Sequence, residues 1–130
     1  MIQPNKPSAT LSREDLLMLC ETIPQQVWTA NSEGELDFVN GRVIEYFGRT
    51  YEEMTGNTWL DVVHPDDRER IVERWMQSVK TGAPYEVEFR LLRATDGSYR
   101  WNLGRALPVH DKHGKVFKCF GTNTDITEQR

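Results

Sequence analysis

Residues 85–130, YEVEFRLLRATDGSYRWNLGRALPVHDKHGKVFKCFGTNTDITEQR, decide the architecture. In YEVEFRLLR, Tyr85, Val87, Phe89 and Leu91 alternate with Glu86, Glu88 and Arg90, the period-two signature of a strand with one buried face. Asp96-Gly97 and Gly114 then supply the positive-φ positions that hairpin reversals need. The runs YRWNLGRALPV and VFKCFGTNT follow these turns, so the stretch reads as an antiparallel meander of three strands ending in the polar DITEQR.

Upstream, residues 1–10 carry Pro4 and Pro7 among small polar residues and read as a flexible lead-in. An amphipathic helix is expected over residues 11–24: Ser12 is an N-cap, Glu14 and Asp15 complement the helix dipole, and Pro24 stops the run. Its face of Leu16, Leu19, Cys20 and Ile23 either covers the domain's own sheet or packs against a second copy, which makes a homodimer one expected partner. QVWTA from Gln26 and LDFVN from Leu36 are short strands around the turn-rich Asn31-Ser32-Glu33-Gly34. Asn40 caps a short helix closed by Gly48, and Thr50 to Glu53 has capping-box spacing for a second one, with Gly56 expected to end it. His64-Pro65-Asp66-Asp67 opens a longer helix in which Ile71, Trp75 and Val79 recur every fourth residue until Gly82 and Pro84. Helix, two strands, several helices and three strands argue α+β, one antiparallel sheet with helices on one face.

Composition narrows the function. A chain of 130 residues is most simply one domain, and its net charge of −4, with bases interleaved among acids, gives no general attraction to nucleic acid or an anionic membrane. No apolar run approaches the length of a membrane span and no leader pattern opens the chain, so direct membrane contact is not expected and the location reads as cytoplasmic. Cys20 and Cys119 lack disulfide-framework or metal-ligand spacing, and no metal site is expected. His64 sits at a helix start, His110 and His113 in a turn, and none has a nucleophile or paired carboxylate at a recognisable spacing. Asp66 and Asp67 are adjacent and so point apart, and a first-turn dipole role accounts for both. With no catalytic motif, this chain does not read as an enzyme.

In order and spacing, the chain resembles a PAS domain with its C-terminal motif, as found in bacterial sensor histidine kinases and cyclic-dinucleotide signalling proteins. The resemblance rests on the Asn40-to-Gly48 helix, Tyr51-Glu52-Glu53-Met54-Thr55-Gly56, Trp59 followed by His64-Pro65-Asp66-Asp67-Arg68, and the hairpins carrying Asp96-Gly97, Tyr99-Arg100-Trp101, Pro108-Val109 and Gly121 to Thr127. It implies a five-stranded antiparallel sheet of order 2-1-5-4-3, with helices enclosing a small cavity over one face. The domain would then span 25–127, and 128–130 would begin a linker to an output domain in the parent, a histidine kinase or diguanylate cyclase. Asp125, Ile126 and Thr127 would mark the exit through which a ligand- or dimer-dependent change is passed on.

The aromatic residues Trp28, Phe38, Phe47, Trp59, Trp75, Phe89, Trp101 and Phe120, with Ile71, are candidates to line that pocket, although an aromatic set of this kind is more often ordinary core than ligand box. The cofactor is left unknown. The resemblance would place a haem ligand in the helix from Asp66 to Lys80, which contains no histidine, and an adduct-forming cysteine between Asn40 and Thr55, where there is none. Haem and covalent flavin are therefore disfavoured. Alternatives are a receptor for non-covalent flavin, haem or a small metabolite, or a purely structural dimerisation module.

Overall fold

The computed structural model describes residues 12–130; the lead-in expected over 1–10 lies outside them. Helix α1 (Arg13–Thr22) starts in a reciprocal cap: Ser12 Oγ accepts the Asp15 N–H at 3.0 Å and Asp15 accepts the Ser12 N–H at 3.1 Å. Strands β1 (Gln26–Asn31) and β2 (Leu36–Val39) pair antiparallel around an Asn31 side-chain turn. Helices α2 (Gly41–Phe47) and α3 (Tyr51–Met54) follow, each with the expected cap, and a 3-10 turn spans Thr58–Val62. Gly56 departs from expectation: α3 ends at Thr55, and Gly56 instead exchanges two backbone hydrogen bonds with Leu36, 2.8 and 3.0 Å, lengthening the β2 ladder by one bridge.

Helix α4 (Pro65–Thr81) is capped by His64, whose Nδ1 accepts the Asp66 N–H at 3.1 Å, and is ended by Gly82 at φ 77°. The meander forms as β3 (Tyr85–Arg93), β4 (Ser98–His110) and β5 (Val116–Asp125). The sheet order is β2-β1-β5-β4-β3, all antiparallel, so the last strand lies in the middle. One row across the inner face reads Val39, Trp28, Gly121, Ala106, Tyr85; the next row, on the outer face, reads Phe38, Thr29, Phe120, Leu107. Gly121 is required in its row, because a Cβ there would overlap the Trp28 indole.

Helices α2 and α4 close the inner face, and α4 also seals the free β3 edge. Arg70 and Arg74 donate to the carbonyls of Glu88 and Glu86 at 3.0 and 3.1 Å, while Asp67 accepts the Arg90 N–H at 2.9 Å. Asp67 therefore does more than complement a dipole. It is buried and takes the Arg90 guanidinium through both oxygens, at 2.8 and 3.0 Å; these bonds outweigh burial and hold its carboxyl below the usual carboxylate range. Asp66, turned about 100° away by helical geometry, is exposed. Among the described residues, no helix is long and apolar enough to cross a membrane.

Candidate functional site

A cavity of about 50 Å³ lies between the inner face and the helices. Its floor is Trp28, Leu36 and Val39 from β1 and β2, Tyr85, Phe89 and Leu91 from β3, and Asn123 from β5. Val43 and Phe47 of α2, Met54, Trp59, Val62 and Trp75 complete the walls. Trp75 is the keystone: its ring meets Trp28 edge-on at 5.5 Å and Tyr85 at 5.0 Å. Burial pushes the Tyr85 hydroxyl pKa above that of a free phenol.

Most indole donors here are engaged. Trp75 Nε1 donates to the Gly34 carbonyl at 2.9 Å and Trp28 Nε1 to Asn123 Oδ1 at 3.3 Å, while the Asn123 amide donates to Gln26 Oε1 at 3.3 Å. Trp59 Nε1 is different. It is shut off from solvent and meets no acceptor among the described residues.

Of the nine residues expected to line a pocket, Trp28, Phe47, Trp59, Trp75 and Phe89 do. Ile71 is fully buried but belongs to the core below the cavity. Three others are corrected: Phe38 and Phe120 flank Thr29 on the outer face, and Trp101 lies on that face between the guanidinium groups of Arg90 and Arg130, at 5.2 and 3.5 Å from its ring. Parity is the reason. Trp28 pairs with Gly121, so Phe120, one residue earlier, must point away. The walls missed from the sequence are Tyr85 and Leu91, which share the visible alternation of Phe89, and Leu36, Val39, Val43, Met54, Val62 and Asn123, whose inward direction depends on pairing and helix docking.

The stretch Asp125-Ile126-Thr127, expected from the sequence to mark an exit, is hydrogen-bonded to the helix that carries two cavity walls. Asp125 accepts hydrogen bonds from the Tyr46 hydroxyl, Arg100 Nε and the Thr127 N–H, each at 3.0 Å. Burial pushes the Asp125 carboxyl up, but the bonds from Thr127, Arg100 and Tyr46 outweigh it and hold the pKa low. Burial, reinforced by that carboxylate, pushes Tyr46 up to about 12. Ile126 N–H donates to the Trp101 carbonyl at 2.8 Å, and Thr127 Oγ1 accepts the Trp101 N–H at 2.9 Å. Tyr46 lies one residue before Phe47, a cavity wall, so one short helix touches both places.

Helix α1 settles on neither face of its own sheet. It has no buried residue, and Leu16, Leu17, Met18 and Leu19 are about half exposed or more. Cys20 and Ile23 are half-buried where the chain turns into the domain. Two contacts hold this end: the fully buried Asn40 donates to the carbonyls of Cys20 and Gln25 at 3.0 and 2.8 Å, and Glu21 accepts the Gly41 N–H at 2.7 Å.

A sheet of this order, walled on one face by helices around a central cavity, defines a class of small α+β domains. The chain belongs to the PAS family: the family model of the PAS fold matches residues 36–123. It is 37% identical over 112 residues to the uncharacterized protein y4lL of Sinorhizobium fredii, covering 86% of this chain and 13% of that protein. It is 34% identical over 116 residues to the peroxide stress-activated histidine kinase mak1 of Schizosaccharomyces pombe, covering 88% of this chain and 7% of the kinase. The PAS domain of a Colwellia psychrerythraea protein superposes with a TM-score of 0.73 at 19% identity, over 88% of this chain and 97% of that one. The fold and its strand order thus match the expectation from the sequence.

Proposed function

We propose that this chain is the non-catalytic sensory module of a longer signalling protein, most simply a histidine kinase, and that it reports on its inner cavity through the segment after Asp125. The observation that carries this reading is the hydrogen bond from Tyr46 to Asp125, 3.0 Å, because Tyr46 shares α2 with the cavity walls Val43 and Phe47. Occupancy that displaces α2 shifts Tyr46, and the Asp125-Ile126-Thr127 exit repacks against Trp101. The match to a segment of a histidine kinase supports the kind of parent; a diguanylate cyclase is the other output suggested by the sequence. The cavity volume favours a small guest over flavin or haem, since sites for drug-sized ligands run to roughly 300 Å³ and more. The free cysteines fit a reducing compartment, so we place the module in the cytoplasm.

A homodimer is part of the proposal. A ten-residue helix is marginal alone in water, and the apolar residues of α1 find no cover among the described residues, while Leu107, Phe117 and Phe120 stand exposed elsewhere. Val43→Leu tests the relay by filling the cavity: amide resonances of Ile126 and Thr127 should shift, and Tyr46→Phe should suppress that shift. An exit that ignores Val43→Leu would overturn the reading.

A further inference from the structure

We propose that the β3 edge carries a phosphate site, in which the guanidinium groups of Arg70 and Arg74 and the Glu88 N–H together hold one dianionic phosphate group, free or as a monoester. The site is separate from the inner cavity and stands or falls independently of the relay to Asp125.

The ladder sets the direction of each edge group. Arg90 gives its N–H to Asp67 and its carbonyl to the His64 N–H, at 2.9 Å each, so both point away from β4. The β3–β4 register runs without a bulge, so Glu88 and Glu86, two and four residues earlier, turn their backbone groups the same way. Their carbonyls are taken by Arg70 and Arg74. The Glu88 N–H lies between those two carbonyls along the strand and has no partner among the described residues. This part of the edge therefore offers donors only. A further strand would need free carbonyls as well, whereas an oxyanion needs nothing but donors. An open groove reaches the place, passing Arg70, Arg74, Glu86, Val87 and Glu88 and continuing onto the outer face at Trp101.

Charge selects the kind of anion. Three carboxylates lie around the groove, and each is matched by another arginine: Asp67 by Arg90 at 2.8 Å, Glu86 by Arg105 at 2.6 Å and Glu88 by Arg130 at 2.9 Å. Arg74 rests on a neutral carbonyl, and the carboxylate nearest Arg70 is the already paired Asp67, at 3.6 Å. Glu69 and Glu73, exposed on α4, pair with neither. Two guanidinium charges are thus left over in a chain of net charge −4. A phosphate monoester carries about −1.5 to −2 at neutral pH and balances them, which a single carboxylate does not. Spacing agrees. Carbonyls two residues apart on a strand stand about 6–7 Å from one another, a gap that one phosphate spans by giving an oxygen to each guanidinium at about 2.8 Å. A third oxygen is left for the Glu88 N–H.

The test is a titration of the chain, labelled at its backbone nitrogens, with phenyl phosphate, inorganic phosphate and benzoate at constant ionic strength and neutral pH. The Glu88 amide resonance should move saturably with either phosphate at millimolar concentration and hardly at all with benzoate. Tighter binding of phenyl phosphate would assign the site to an ester whose body lies along the groove, and the reverse order would assign it to free phosphate. Arg70→Gln and Arg74→Gln change exposed side chains, leave the core intact, and should each weaken phosphate binding at least about tenfold by removing a charge-assisted bond. Arg42→Gln on α2 removes the same charge outside the groove and should change the affinity less than about twofold. A Glu88 amide that ignores phosphate, an equal affinity for benzoate, or a loss in Arg42→Gln as large as that in Arg74→Gln would overturn the assignment.

Discussion

Trp28 and Phe120 come from adjacent strands and adjacent rows, yet Trp28 is 7% exposed and Phe120 51%. The first points under the helices, packs on Trp75 and finds an acceptor in Asn123; the second points to the open face beside Leu107. The same period-two alternation builds both faces, and among the described residues only the inner one has helices to close it. The inner face should therefore carry the domain's stability, whereas the outer face is available for association.

The largest effect should come from Trp75→Ala. Removing the ring that joins Trp28 to Tyr85 should cost about 3–5 kcal/mol in urea unfolding, a large share of what a domain of this size has. Phe120→Ala, of similar chemistry on the other face, should change monomer stability by less than about 1 kcal/mol. Equal losses at the two sites would break the comparison.

Gly121→Ala should come next, at about 1–3 kcal/mol, since the added Cβ must displace the Trp28 indole and so remodel the cavity floor. A crystal structure of the variant should show a moved Trp28 ring. An unmoved ring at unchanged stability would mean that the Gly121 contact is slack.

A smaller effect is acid-dependent. The folded Asp67 carboxyl lies below its unfolded value of about 3.9, so the unfolded chain binds more protons between the two values and stability rises with pH there. The Arg90 pairing therefore contributes fully near neutrality and is lost as pH falls through the folded pKa. The stability gap between wild type and Asp67→Asn should be widest near pH 6 and shrink steadily below pH about 4. A gap that stays constant across that range would assign the loss to packing rather than charge.

How far the sequence discloses this comparison varies by element. Strand β3 is legible because its alternation is written in adjacent letters, and the caps of α1, α2, α3 and α4 are legible because each is local. The cavity is only partly so. Ring size selects Trp28, Trp59 and Trp75 correctly and Phe38, Trp101 and Phe120 incorrectly, since which face a strand residue takes depends on its register with another strand. Asp67 is hidden for the same reason: its partner Arg90 is 23 residues away, across a helix-to-sheet contact that no local pattern encodes. The orphaned Trp59 N–H is a property of packing and has no signature in the chain.

The smallest expected change in stability tests the outer face and α1 together. Leu16 is 50% exposed and Phe120 51%, so Leu16→Glu or Phe120→Glu should alter the unfolding free energy at micromolar dilution by no more than about 0.5 kcal/mol. Their effect should appear in mass instead. Sedimentation at high concentration should give a dimer for the wild type and a monomer for either variant, because a carboxylate buried in an apolar interface without a partner opposes association. If Leu16→Glu dissociates the dimer and Phe120→Glu does not, the helices pair with each other rather than with the partner's sheet. A wild type that stays monomeric would remove association from the outer face altogether, leaving the cavity and the Asp125 exit as the parts of the module that can carry a signal.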